Sequence, residues 1–168
     1  MTTTVESIFG SGRMVHGFFL NNQLTDFSFS PVQAGGRPAA NAVAPGKRPR
    51  SAMAPVMVLD NQGRLVAALG SPGGPAIISY NLKALTGVFD WGLPLQEAFD
   101  LPNMVARNGS FSSEEALYAP GVVDGMKALG LEIRPGSSEN SGLHGVLVRD
   151  GKLYGAADRR RDGVAKGY

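Results

Sequence analysis

Gly73 and Gly74 close the run Gly70-Ser71-Pro72-Gly73-Gly74, set between a strand-like stretch, Arg64 to Leu69, and a helix-like stretch, Pro75 to Phe89. Adjacent glycines at a strand-to-helix junction bare backbone N–H groups, and the helix amino end adds partial positive charge. Such a pair can hold an anion, or an oxygen becoming one. A tight turn that needs glycine for its backbone angles accounts for the same residues without chemistry. A second polar cluster lies in Leu20-Asn21-Asn22-Gln23-Leu24-Thr25-Asp26-Phe27, and Glu6 precedes it by one strand. The carboxylates of Glu6 and Asp26 with the amide oxygen of Gln23 could accept all three N–H bonds of an ammonium group. Lys47-Arg48-Pro49-Arg50-Ser51 could hold a carboxylate through a hydroxyl, backbone N–H groups and cations. Each has a bland counterpart, a turn shaped by Asn21 and Asn22 or an exposed basic loop. Together they suit a zwitterion: acceptors in one place, donors in another, and an oxyanion cradle between.

The elements that must position these groups follow from apolar spacing. Thr2 to Val5 and Gly17 to Leu20 read as strands around the glycine-spaced loop Phe9-Gly10-Ser11-Gly12. From Asn21 to Pro55 the chain is rich in Pro, Gly, Ala and Asn with little periodicity, a loop length that signals function or disorder. Pro55 to Asp60 and Arg64 to Leu69 form a hairpin turning at Asp60-Asn61-Gln62-Gly63. In the next helix Ile78, Leu82, Leu85 and Phe89 make one apolar stripe, expected to pack on a sheet as core. Further helices are expected over Leu95 to Asp100 and Val122 to Leu129, the second entered by Pro120 and ended by Gly130. Leu131 to Arg134, Gly145 to Arg149 and Lys152 to Ala156 read as strands, the last two joined at Asp150-Gly151. Strands framing a helical middle predict an α+β fold with a sheet packed on helices. The tail Asp158-Arg159-Arg160-Arg161-Asp162 reads as a solvated terminal segment.

Composition narrows the function classes. A chain of 168 residues, 43% hydrophobic, fits one globular domain over residues 1–168. It has no apolar run long enough to span a membrane and no charged-then-apolar leader. Met1 leads directly into Thr2-Thr3-Thr4-Val5, an abrupt entry expected of a chain that begins inside a larger fold. The absence of cysteine excludes disulfides, thiolate metal sites and a cysteine nucleophile. His16 and His144, the two histidines, have no metal-ligand spacing, so neither metal nor cofactor is expected. The net charge of +2 comes mainly from Lys47-Arg48-Pro49-Arg50 and Arg159-Arg160-Arg161, without interleaved aromatic residues. That pattern argues against nucleic acid as a partner.

Five segments, Thr4 to Gly12, Leu20 to Phe27, Lys47 to Ser51, Gly70 to Gly74 and Gly155-Ala156-Ala157-Asp158, stand in the order found in gamma-glutamyltranspeptidases. The chain resembles most of that family's small, carboxy-terminal subunit. The resemblance implies an N-terminal-nucleophile hydrolase fold, an αββα sandwich, of which this chain is part. It implies a precursor that cleaves itself to expose a threonine, whose hydroxyl attacks the gamma-glutamyl amide of glutathione with its own α-amine as base. Water, an amino acid or a dipeptide then takes the acyl group. By motif position Gly73 and Gly74 resemble the oxyanion hole, and Thr4 the threonine that hydrogen-bonds the nucleophile. Glu6, Gln23 and Asp26 resemble the ligands of the glutamyl α-amino group, and Ser51 a ligand of its α-carboxylate. The partner implied is the large subunit of the same precursor, in a periplasmic or extracellular setting.

Two departures stand out. The family carries a second serine after Ser51, where this chain has Ala52. Loss of one hydrogen bond to a charged group costs about 1.5 to 3 kcal/mol, so a cephalosporin or glutaryl acylase of the same architecture is the alternative expectation. The family's nucleophile lies roughly 10 to 20 residues, one hairpin, upstream of the Thr4 motif, and Thr2 is out of register to replace it. The chain alone is therefore expected to be inactive. A non-catalytic glutamate-binding module remains a third expectation.

Overall fold

The computed structural model describes residues 2–6, 9–107, 110–135 and 140–167. The chain separates into two compact units, Met1–Met53 and Ala54–Tyr168. In the first, β1 (Met14–Val15) pairs antiparallel with β2 (Phe18–Phe19). The turn between them puts His16 and Gly17 at φ 49° and 85°, as a two-residue hairpin turn requires. Gly10, at φ +67°, lies so close to the Leu20 carbonyl that a Cβ would sit 2.1 Å from its oxygen. The stretch Thr2–Val5, expected as a strand, has no sheet partner among the described residues. Its last carbonyl instead accepts the Gly10 N–H and closes a turn. Beyond β2 the chain has little regular structure: a 3-10 turn at Gln23–Asp26 and one bridge, Val32 to Pro38.

The second unit opens with the expected hairpin. β3 (Val56–Leu59) and β4 (Leu65–Gly70) are antiparallel, and Asp60 fixes their turn by accepting the N–H groups of Gln62 and Arg64, each at 2.9 Å. A short 3-10 turn at Gly74–Ala76 leads into α1 (Ile77–Phe89), followed by α2 (Leu95–Asp100). β5 (Met104–Arg107) and β6 (Ser110–Ser113) form an antiparallel pair absent from the expected elements; each has four residues, β5 mostly apolar and β6 mostly serine, with little alternation to read. α3 (Val122–Ala128) then crosses to β7 (Ile133–Pro135), parallel to β6. β8 (His144–Arg149) and β9 (Lys152–Ala157) complete a four-stranded sheet ordered β3-β4-β8-β9.

One face of this sheet packs on α1 and α2 through Ala67, Leu69, Leu147 and Ala156 against Tyr80, Ala84, Val88, Ala98 and Phe99. The helix face that does this corrects the expected stripe. Ile78 and Leu82 are each 62% exposed and Phe89 44%, whereas Ile77, Asn81, Ala84 and Val88 are buried. The buried row is the expected row moved back by one residue, about 100° around the helix. Small residues decide the phase: at Gly87 an added Cβ would come within 2.8 Å of the Ala98 Cβ. Close approach of α1 and α2 requires that face; of the expected stripe Leu85 still packs half-buried against the core, while Ile78, Leu82 and Phe89 are left outside.

The basic tail is a second correction. Asp158 is fully buried and the Arg160 side chain only 13% exposed. The Arg160 guanidinium meets Glu114 at 2.7 Å through both Nε and Nη2, and Asp158 at 3.1 Å through Nη1. It also donates to the carbonyls of Phe99 and Leu101 at 3.1 and 3.0 Å. A single cation thus fastens the segment after β9 to α2 and to the loop after β6.

Candidate functional site

The first unit gathers the residues expected to accept an ammonium. Asn22, nine-tenths buried, donates from Nδ2 to Glu6 Oε2 at 2.8 Å and to the Thr25 hydroxyl at 3.2 Å. Thr25 in turn donates to the Asn22 carbonyl at 2.8 Å, closing the turn that carries Gln23 and Asp26. Asn21 helps by accepting the Gln23 N–H at 3.0 Å, an Asx turn. Within the turn Gln23 Nε2 donates to Asp26 Oδ2. Glu6 has φ 45°, a left-handed backbone uncommon outside glycine, and such strain concentrates where function demands it.

The electrostatics fit a cation site. Partial burial lifts the Asp26 pKa above the ordinary 3.8, the Glu6 charge lifts it further, and Arg50 pulls it back. A carboxylate whose proton affinity is raised by a neighbouring charge of the same sign is relieved by a bound cation. Arg50 also marks the approach of the basic loop. Its N–H donates to Asn41 Oδ1 at 2.8 Å, while Asn41 Nδ2 donates to the Asp26 carbonyl at 2.6 Å. The neighbouring Ser51 is exposed, and its oxygen accepts the Met53 N–H at 3.1 Å. Lys47 does not face a ligand site: its ammonium caps the Ala40 and Ala42 carbonyls at 2.5 and 3.0 Å and folds its own loop. Thr4 lies half-buried in the irregular segment before Glu6. Ser7 and Ile8 of the same motif fall outside the described residues.

Asn22 and Asn41 were not singled out as functional from sequence. The signal for Asn22 was its place beside Gln23 in a polar strand end. Asn41, inside a long Pro- and Ala-rich loop, gave none.

In the second unit Gly73 and Gly74 stand where the glycine run predicted, at the amino end of the 3-10 turn that opens α1. Gly73 is buried at φ +132°, and an added Cβ would lie 2.5 Å from the Tyr80 ring. Gly74 has φ +52°. The preceding Ser71 is a brace: its oxygen accepts the Gly142 N–H at 3.0 Å and its hydroxyl donates to the Pro72 carbonyl at 2.6 Å. Among the described residues no group of three or more His, Cys, Asp or Glu is placed to hold a metal.

The first unit thus carries a cluster of acid and amide groups, and the second a glycine-built entry to α1. The gamma-glutamyltranspeptidase description matches residues 1–168, and the chain belongs to that family of enzymes. It is 34% identical over 170 residues to the "Glutathione hydrolase proenzyme" of Bacillus subtilis (strain 168), covering 99% of this chain and 28% of that relative. It is 33% identical over 166 residues to the "Acylase ACY 1 proenzyme" of Pseudomonas sp. (strain SE83), covering 97% of this chain and 28% of that one. The gamma-glutamyltranspeptidase from Pseudomonas nitroreducens complexed with L-DON superposes with a TM-score of 0.80 at 30% identity, over 100% of this chain and 92% of that one. The chain spans less than a third of the length of these two curated relatives.

Proposed function

We propose that this chain supplies the glutamyl-binding and oxyanion-stabilising part of a gamma-glutamyltransferase, acting on glutathione and related gamma-glutamyl amides. The observation that carries the proposal is the approach of Glu6, through Asn22, to the turn that bears Gln23 and Asp26, itself tied through Asn41 to Arg50 and the adjoining Ser51. An ammonium would replace the internal hydrogen bonds of the carboxylates, and the α-carboxylate would take the Ser51 hydroxyl and the positive field of Arg50. The γ-carbonyl is then the end left to react.

In the complete protein a threonine hydroxyl attacks that carbonyl, passing its proton to its own α-amine. The carbonyl electron pair moves onto oxygen, where the Gly73 and Gly74 N–H groups stabilise it. Collapse expels the amine with the transferred proton and leaves an ester, which water or an acceptor amine cleaves by the reverse steps. Thr4 hydrogen-bonds the nucleophile. The remainder of the precursor is the partner: the outer face of the β3-β4-β8-β9 sheet carries Met57 and Leu153, 75% and 74% exposed, beside half-buried Ala68, Val146 and Val148. A second sheet packed there would complete an αββα sandwich. Membership of the family supports a parent that works in the periplasm or outside the cell.

The test is steady-state hydrolysis of gamma-glutamyl-p-nitroanilide by the full-length protein and its Glu6→Gln and Asp26→Asn variants. The proposal expects KM to rise at least tenfold in each, the loss of one charged hydrogen bond; unchanged KM in both would refute it. An acylase is the second reading, favoured by Ala52 and by the acylase proenzyme relative. A higher kcat/KM for glutaryl-p-nitroanilide than for the glutamyl substrate would establish it instead.

A further inference from the structure

Asn41 joins two segments that sequence separates. Its Nδ2 donates to the backbone carbonyl of Asp26 at 2.6 Å, and its Oδ1 accepts the backbone N–H of Arg50 at 2.8 Å. Its own carbonyl accepts the Ser28 N–H at 2.9 Å, which holds the residue beside the end of the 3-10 turn. Only one orientation of the amide satisfies both side-chain bonds, since a carbonyl needs a donor and an N–H an acceptor. Both side-chain bonds go to main chain, so they fix where the Asp26 and Ser51 side chains start without competing for their functional atoms. Few other constraints act on this separation. The loop from Phe27 to Pro55 contains no strand or helix, and its internal ties, such as Lys47 to Ala40 and Ala42, are local.

We propose that Asn41 is a positioning residue that sets the distance between the ammonium acceptor Asp26 and the carboxylate-binding segment Arg50–Ser51, and so selects ligands bearing both groups on one carbon. The inference rests on the glutamyl-site proposal above. An α-amino acid presents its ammonium and carboxylate at a fixed short spacing, and a site that reads both must hold its two halves at a matching spacing. A ligand with one of the two groups is indifferent to that spacing.

The experiment compares three anilides in the full-length protein: gamma-glutamyl, with both groups; glutaryl, without the amine; and 4-aminobutyryl, without the α-carboxylate. Asn41→Ala removes both ties, and Asn41→Asp keeps the acceptor for Arg50 while turning an anionic oxygen toward the Asp26 carbonyl. The expected result is a five- to thirtyfold rise in KM for the glutamyl substrate, about one to two hydrogen bonds, with kcat and both single-group substrates within about twofold of wild type. A parallel loss on all three substrates, or loss of the melting transition in both variants, would make Asn41 a general folding residue and overturn the inference. Unchanged glutamyl KM in a folded variant would overturn it too. If wild type itself shows no preference for the glutamyl substrate over the single-group pair, the glutamyl-site proposal fails first and takes this one with it.

Discussion

Replacing Arg160 with alanine removes the one side chain that binds Glu114, Asp158 and two carbonyls together. Glu114 is 17% exposed and Asp158 fully buried, so the variant leaves two poorly hydrated carboxylates without their cation. Breaking a buried pair from one side costs about 3 to 5 kcal/mol, because the remaining charge stays desolvated. Lys83 tempers the loss. Its ammonium donates to the Phe99 and Leu101 carbonyls and to Asn103 Oδ1. Burial and then the Arg160 charge depress its pKa to about 8, so removing Arg160 strengthens its hold on a proton. The assay is thermal melting of the 168-residue chain, with a midpoint drop of roughly 6 to 20 °C expected for 3 to 5 kcal/mol at this size. Arg159→Ala is the control: its side chain is 79% exposed and 3.5 Å from Asp100, so the midpoint should not move. The acid limb gives a second reading. Burial opposes ionisation of Asp158 and of Glu114, but hydrogen bonds and the Arg160 charge outweigh it and hold both pKa values below 3.8 and 4.5. Their stabilisation is therefore present above those ordinary values and lost as pH falls through the folded ones. Without Arg160 the burial remains and the compensation goes, so acid unfolding must begin at higher pH. An Arg160→Ala chain as stable as Arg159→Ala, or with an unshifted acid midpoint, would refute the clamp.

Gly73→Ala should destabilise the chain by about 2 to 5 kcal/mol, combining a left-handed φ with a contact against Tyr80, and should abolish turnover in the full-length protein; a wild-type melt with normal kcat would contradict both. Glutamate binding should weaken as pH falls through the carboxylate range, starting above 3.8 because Asp26 is raised, and titration calorimetry at several pH values would expose a flat profile if the ammonium site is elsewhere. Leu82→Glu should reduce dye binding and self-association of the chain while leaving its melting midpoint within a few degrees, since the side chain is 62% exposed; a large midpoint drop would mean that the stripe is covered.

Much of the second unit was legible because its signals are local. The β3–β4 hairpin carries its turn residues in Asp60 to Gly63, and α2 lies between the helix breakers Pro94 and Pro102. Apolar alternation likewise placed β8 and β9 within one or two residues of where they lie. The pair β5–β6 was not legible, because four-residue strands without alternation exist only by virtue of the neighbours they bond to. The α1 stripe was misread for a related reason: both Ile77-Asn81-Ala84-Val88 and Ile78-Leu82-Leu85-Phe89 satisfy helical periodicity, and bulk favours the second. Which face turns inward depends on how near α2 must come, and Gly87 against Ala98 answers that only in three dimensions.

By itself the sequence determined the motif order that marks the family, the residue types fit to bind a zwitterion, and the glycine pair, since each is a matter of chemical identity and short-range spacing. Tertiary structure alone decided that one arginine of the run, Arg160, is part of the interior. Three adjacent arginines look alike in sequence, yet Arg160 meets the buried Asp158 and the largely buried Glu114 while Arg159 lies in solvent. Tertiary structure also decided that Asn41 reaches Asp26 and Arg50 across 15 and 9 residues of irregular chain. Burial and long-range hydrogen bonding depend on where distant segments are brought, and no local pattern encodes that.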